Sequence, residues 1–584
     1  MNEVWNLDPI FKGFDDPAFE ADMQEMKSLV ERIGAFAEGL PQMEAVAGLT
    51  EGIALQERFF ELVGKLAGFA SLRQAADTRD SEAGSRMGQV MQLYSGVAAP
   101  FAAFKDWATK LPNLMELVKA DENLKDYTFM FENMADSARY LLPGVGEAVM
   151  AKMSLSGGDA WSEMQQYLTS TVPVTYRGET TNLSSIRNLA YDPDPQVRKD
   201  AYEAEIACYD RIKDAVAYAL NSIKLETISD CQLRGYESPL HRTVKHNDMQ
   251  MATLEAMLSA MDEYAPKFWE YLKAKGKKLG HENGLPWYDL FAPMGNSSTK
   301  FTAQEARDYL VNLFAEFDSD LSGMVAEAFD NAWIDFYPRK GKAGGAFCAG
   351  VECQGESRIL TNFDGMFTDV VTLAHELGHA FHNLCIKDHR TLNHDYSMPL
   401  AETASTFNEC VVMASAIGKA ADKDEKIALI ESQLQDATQI ICDIYSRFRF
   451  EKSVFDNREE KFMNADALCQ QMIDAQKASY GDGLDPDCLH PFMWVCKSHY
   501  YGPTYYNFPY AFGGLFARGL YAQYEKEGAS FVPKYKKLLY TTTVATAEDT
   551  AQVAGIDLTD KNFWRAALQT IADQIDLFCS LVEG

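Results

Sequence analysis

A chain of 584 residues that is 47% hydrophobic and 24% charged has ample material for a large core and lies outside the disordered class. Its net charge of −31 excludes a nucleic-acid binder, whose target phosphates demand a basic surface, and disfavours an anionic membrane. The eleven cysteines follow no paired spacing, which argues for free thiols in a reducing compartment rather than a disulfide framework.

In chain order, the amino terminus lacks the basic start and apolar core of a secretory signal. No apolar run approaches a membrane span, so a cytoplasmic protein is expected. Helical periodicity dominates residues 1 to about 165, with helices expected over 16–36, 50–78 and 81–109. No catalytic motif stands in this region, whose expected role is packing and walling off a cleft. Residues 170–176 (STVPVTY) predict a short strand from their β-branched content. The DPDP run at Asp192–Pro195 then introduces a long helical pattern over 196–234. A domain boundary is placed near residue 180, giving an N-terminal helical domain (1–180) and a catalytic domain (181–584).

Further helical patterns cover 248–278 and 302–332. The glycine-rich GKAGG at 341–345 lacks the lysine and hydroxyl ending of a phosphate loop and is expected to be a flexible loop beside the site. Residues 357–363 (SRILTNF) have β character. If exposed, such a strand can pair with an extended peptide through Arg358, Ile359, Leu360 and Thr361; the alternative is an ordinary interior strand.

The decisive stretch follows: MFTDVVTLAHELGHAFHNL, residues 366–384, predicts a mostly buried helix. It carries HELGH, placing His375 and His379 four apart on one helical face, so both imidazoles can reach one metal ion. Glu376 can then take a proton from a water at the metal. Gly378 costs a helix roughly 1 kcal/mol against alanine, which suggests a close backbone approach behind the metal. A hydrolytic zinc takes three protein ligands. The glycine and third histidine of one common pattern are missing, since His382 and Cys385 occupy those places. The alternative is a glutamate on a following helix, and PLAETASTFNE (399–409) offers Glu402 and Glu409 two turns apart. One can ligate while the other supports. His382 is expected to pack or support rather than ligate. Another helical pattern covers 424–447.

HELGH, followed 23 residues after its second histidine by the glutamate of LAETASTFNE, resembles the thimet oligopeptidase-like zinc peptidases, and most of all their oligoendopeptidase F branch. RKGKAGGAFC (339–348), WYDLFAP (287–293) and HYYGPTYYNFPYAFG (499–513) are similar to other segments of that family. The resemblance implies one Zn²⁺ per chain on His375, His379 and Glu402, with Glu409 in support. It implies that His499 and a tyrosine pair, Tyr506 and Tyr510, assist catalysis; the interval leaves Tyr505 open in place of Tyr506. It also implies a mainly α, two-lobed metallopeptidase with a deep substrate channel and a small β-sheet near the zinc. The expected function is hydrolysis of internal bonds in short peptides, with Glu376 as general base. The alternatives are a zinc carboxypeptidase or dipeptidyl carboxypeptidase of similar fold, and a non-catalytic peptide-binding protein.

Overall fold

The computed structural model describes residues 3–295 and 300–583. Helices make up most of it, and the described strands form one two-stranded and one three-stranded sheet. The chain divides into two compact units, each assembled from three segments: Met1–Arg139, Ser298–Val412 and Gln523–Gly555 in the first, and Tyr140–Ser297, Met413–Ala522 and Ile556–Gly584 in the second.

In the first unit, long helices span Pro17–Gly39, Ala45–Ala76 and Ser81–Thr109, matching the three periodic stretches expected there. Their buried stripes, including Phe19, Met23, Leu29, Phe59, Leu66, Phe69 and Val90, form one core that also takes in Val351 and Leu360 of the larger sheet. The N-terminal helices therefore back the sheet, removing its apolar residues from water at about 25 cal/mol per Å².

The strands, in chain order, are β1 (Val174–Tyr176), β2 (Glu179–Thr181), β3 (Ile334–Asp335), β4 (Phe347–Val351) and β5 (Glu356–Leu360). Sheet order in the first unit is β3-β5-β4, with β5 parallel to β3 and antiparallel to β4. This corrects one expectation. Residues 357–363 do not offer an open edge, because β5 is central and both of its edges are taken. Arg358, Ile359 and Leu360 are fully buried and Thr361 nearly so. Arg358 donates from Nε to the Asn6 carbonyl at 2.8 Å and pairs with Glu356, also at 2.8 Å, so its charge is consumed structurally. The edge strands are β3 and β4.

The GKAGG loop is tied down rather than loose. The Lys342 side chain is fully buried; it pairs with Asp335 at 2.7 Å and donates to the carbonyls of Tyr337 (3.0 Å) and Thr361 (2.5 Å). Ala343 N–H bonds the Ala75 carbonyl at 2.9 Å and Thr78 N–H bonds that of Gly341 at 2.7 Å. An unpaired buried cation would be costly, so these partners fix the loop's position as well as its charge.

Two long expected patterns are interrupted. Residues 196–234 form Pro195–Tyr209 and Lys213–Arg234, and residues 424–447 contain a π-helical turn, Gln439–Asp443, between Lys423–Thr438 and Ile444–Arg458. The expected strand at 170–176 shrinks to β1, because its first residues finish the helix Gly158–Thr171. Apolar periodicity alone does not register a one-residue change of helical phase. In the second unit, one core joins the helices of 195–234 to those of 444–480 through Leu220, Phe450, Val454, Leu468 and Trp494.

Gly378 makes the contact that organises the first unit around its metal motif. A Cβ there would lie 2.5 Å from the Ala404 carbonyl oxygen and 2.6 Å from Ser405 Cα; both are backbone atoms with little freedom to retreat. Gly378→Ala should therefore destabilise by about 1–3 kcal/mol through overpacking instead of gaining the roughly 1 kcal/mol of helix propensity. Gly88, on the helix Ser81–Thr109, has nothing within 4 Å of its virtual Cβ, so Gly88→Ala serves as the control. Thermal unfolding of the two variants should move in opposite directions, and a stabilised Gly378→Ala would show that the approach is not tight.

Candidate metal centre and active site

The motif helix spans Phe367–Ile386 and buries Val370, Leu373, Ala374, Leu377, Ala380 and Phe381. Its start is capped by Asp369, whose Oδ2 accepts from the backbone N–H groups of Met366 (3.0 Å) and Asp364 (2.9 Å). That satisfies donors a helix leaves open and sets negative charge against its positive end.

His375 and His379 stand one turn apart with their Nε2 atoms 3.2 Å from each other. Glu402 Oε2 lies 3.3 Å from the first and 3.4 Å from the second. A tetrahedral zinc with bonds of about 2.0–2.1 Å separates its donors by about 3.3–3.4 Å, so the triangle has the right edge for one ion. Among the described residues this is the only group of three or more such donors close enough to share a metal. The donor set, two imidazoles and a carboxylate, is one that zinc accepts while keeping a position open.

Glu402 is not inside a helix, as the sequence pattern suggested. It sits at the break between Met398–Ala401 and Thr403–Lys419, with φ −94° and ψ 11°. Its carbonyl accepts from Thr406 N–H at 3.1 Å, so the residue serves the following helix as a cap while its side chain turns to the histidines. Ser405 donates to Glu402 Oε2 at 2.7 Å. Glu409 Oε1 is 2.5 Å from His375 Nδ1, which fixes the ring's orientation and leaves Nε2 as the donor atom. Buried Asn408 donates to the Ala374 carbonyl at 3.1 Å, pinning the two helices together. Sequence reasoning passed over Ser405 and Asn408. The available signal was their type: short polar side chains in a buried helix need a partner.

The electrostatics follow from these contacts. Burial works to lower the His375 pKa, but Glu402 and Glu409 outweigh it and raise the pKa to about 10. Burial works to raise Glu402, and hydrogen bonds from His375, His379 and Ser405 overcome it, holding the carboxyl far below its usual range. A metal held by His375 would displace its proton, so affinity there should climb as pH rises toward that value. Glu376 behaves differently. It is 6% exposed, and burial pushes its pKa up against the pull of His375 and His379. A carboxylate raised toward neutrality is better matched to proton transfer there.

His382 is packed, not a donor to the triangle. Its Nε2 meets Thr542 Oγ1 at 2.8 Å, its ring stacks on Tyr396 at 4.3 Å, and burial drives its pKa down to about 3. None of the eleven cysteines is in a disulfide. Burial raises Cys348 and Cys385 to about 12, so both stay thiols. Beside the first turns of the motif helix lies a cavity of about 240 Å³ whose lining includes Gly345, Ala346, Asn362, Phe363 and Thr372.

In the second unit, His499 lies in the 3₁₀ turn Ser498–Tyr500. The Tyr506 ring stacks on it at 5.5 Å, and Tyr510 stands edge-on to both, at 6.3 Å from His499 and 5.7 Å from Tyr506. Burial, then Arg447 and Lys497, lower the His499 pKa, favouring neutral imidazole. Tyr510 is exposed, whereas Tyr505 is buried between Phe448 and Phe455. Of the two tyrosines left open by the sequence, Tyr506 is the one in this ring cluster.

Comparison with known proteins places these features in a family. The chain is 23% identical over 587 aligned residues to Oligopeptidase PepF of Bacillus subtilis, covering 98% of this chain and 86% of that one. Its fold matches the crystal structure of a Chlamydophila abortus protein with a TM-score of 0.86 at 19% identity, covering 99% and 98% of the two chains. Against the crystal structure of oligoendopeptidase-F from Enterococcus faecium the TM-score is 0.70 at 16% identity, with 97% and 99% covered. Residues 112–172 match the model described as Oligopeptidase F, and residues 188–570 match that of Peptidase family M3. Since this second match takes in well over half of the residues, the chain belongs to peptidase family M3.

Proposed function

We propose that this endopeptidase is zinc-dependent and hydrolyses internal bonds of short peptides, with His375, His379 and Glu402 holding the ion and Glu376 acting as general base. The observation that carries the reading is the triangle of donor atoms 3.2–3.4 Å apart with the buried, pKa-raised Glu376 next to His375 on the same helix. When bound, zinc activates water and polarises the scissile carbonyl.

The protein's residues do the rest. Glu376 accepts a proton from the attacking water and returns it to the leaving amine, and its raised pKa suits both transfers. Glu409 holds the His375 ring and Ser405 holds the Glu402 carboxylate, so the donors are positioned before any ion arrives. Among the described residues β4 pairs only with β5, and its other edge is available for an extended peptide backbone. The adjoining 240 Å³ cavity can take a neighbouring side chain of that peptide. Tyr510, assisted by Tyr506 and His499, supplies a hydrogen bond to the developing oxyanion; this role rests on the resemblance of the His/Tyr segment and on the clustering of the three rings. Short peptides are the natural class, because a folded protein must unfold locally to present an extended segment. Relatives named oligopeptidase and oligoendopeptidase support that class. No described helix is long and apolar enough to cross a membrane, and we place the enzyme in the cytoplasm.

The metal assignment is tested by ranking two glutamates. Glu402→Ala should abolish tight zinc binding, while Glu409→Ala should weaken it by roughly 10–100-fold, as loss of a ligand's supporting partner does. Competition with a chromogenic chelator measures both, and the reverse ranking would mean that Glu409 is the ligand.

The proton chemistry is tested by kinetics on zinc-loaded protein. Glu376→Gln should keep zinc and peptide binding while turnover falls at least ~10²-fold. Tyr510→Phe should lower kcat far more than it raises KM, since a bond to the oxyanion strengthens in the transition state. Near-normal turnover in the first variant, or an effect on KM alone in the second, would remove that residue from the mechanism.

A further inference from the structure

The second unit contains a buried ion pair that neither the metal nor the general base uses. Lys224, on the helix Lys213–Arg234, and Glu451, on the helix Ile444–Arg458, are 1% and 0% exposed and meet at 2.6 Å. Glu451 Oε1 accepts from Lys224 Nζ and also from the backbone N–H of Tyr505, at 3.2 Å. The other carboxylate oxygen is buried without a hydrogen-bond partner. A pair arranged this way is a poor source of stability, because two desolvated charges are incompletely compensated and apolar residues of similar volume would serve as well.

Tyr505 explains what the pair is for. Its φ is +52°, the left-handed region that a side chain bearing a Cβ avoids, so the surroundings must impose it. Those surroundings converge on this residue. Its amide is held by Glu451, and its ring packs at 5.3 Å from Phe448 and 5.4 Å from Phe455, both on the helix that carries Glu451. Lys224 Nζ lies over that same Phe455 ring at 4.9 Å. The preceding residue is fastened too, since the Thr504 carbonyl accepts from Thr243 Oγ1 at 3.0 Å. The next residue is Tyr506, whose ring stacks on His499 and stands against Tyr510. A change of φ at Tyr505 would swing Tyr506 out of that arrangement.

We propose that the Lys224–Glu451 pair is a positioning device: it holds Tyr505 in the left-handed conformation and so sets Tyr506, and with it the His499–Tyr506–Tyr510 cluster, in its working geometry. The inference rests on the reading of that cluster as part of the catalytic machinery, and it adds residues that touch neither substrate nor metal. The hydrogen bond to the Tyr505 amide carries the effect, and the charge on Lys224 serves to neutralise the acceptor.

The test separates the acceptor from the charge, using full-length zinc-loaded enzyme and an internally quenched peptide. Lys224→Met with Glu451→Leu removes both; Lys224→Met with Glu451→Gln removes the charges but leaves a carbonyl oxygen to accept from Tyr505. The leucine version should lose about tenfold or more in kcat, as misplacement remote from the chemistry can cost, with KM and zinc content unchanged. The glutamine version should keep kcat within about threefold of the parent, conservative replacement restoring the contact. Wild-type kcat in the leucine version, or equal losses in both, would overturn the proposal. Should the leucine version fail to fold, Tyr505→Gly and Tyr505→Ala supply the answer. Both lose the ring, yet only glycine takes positive φ freely, so the glycine variant should retain about threefold or more of the alanine variant's kcat. Equal or reversed values would overturn the device. Tyr510→Phe, run alongside, separates the two levels: if it leaves kcat intact, the reading of the cluster fails; if it lowers kcat while the clamp variants do not, only the clamp fails.

Discussion

The candidate metal centre depends on how closely two backbones approach at Gly378. The segment Ala404–Ser405 lies where a side chain would otherwise project from the motif helix, and that single absence brings the loop-to-helix junction at Glu402 up to the two histidines. Everything else at the site hangs from this contact. With a methyl group at 378 the neighbouring segment would have to retreat, taking Glu402, Ser405, Asn408 and Glu409 with it. A helix-weakening residue is tolerated within a buried helix because it purchases this proximity, while Asn408, bonded to the Ala374 carbonyl, locks the approach from the next turn.

That closeness has an electrostatic consequence. Three carboxylates, Glu376, Glu402 and Glu409, surround two imidazoles in a partly buried setting, and the excess of negative charge favours a cation. Without one, protons fill the role, which is why His375 is held protonated up to about 10. The carboxylates nonetheless separate into roles by environment. Glu402 collects hydrogen bonds and stays ionised, whereas Glu376 lacks such support and rises with burial. The proposed ligand and the proposed base are the same chemical group, distinguished by what surrounds each one.

Much of this was legible in the sequence. HELGH on a helix and a close backbone approach at Gly378 follow from spacing and residue type, and the structure has that helix and that approach; spacing left Glu402 and Glu409 open, and only the family resemblance singled out Glu402. What spacing could not supply was long-range pairing. Residues 357–363 read equally well as an edge or an interior strand, because alternation says nothing of which neighbours arrive; β3 and β4 took both edges. The helix break at Glu402 escaped notice because Pro399 and the polar spacing fit a continuous helix equally well. The GKAGG loop looked mobile by composition, yet Lys342, buried on Asp335, ties it down. The compact units are each gathered from three separate segments, a grouping that only contacts far apart in the chain can define.

On the proposed reading, one ion held by His375, His379 and Glu402 confers peptide hydrolysis at internal bonds. The most direct measurement strips the protein with a chelator and titrates zinc back while mapping products from a short peptide blocked at both ends. Cleavage should be lost on stripping, return in proportion to zinc up to one equivalent per chain, and yield fragments from internal bonds. Undiminished cleavage by the stripped protein, or failure to cut any end-blocked peptide after full zinc loading, would contradict that reading.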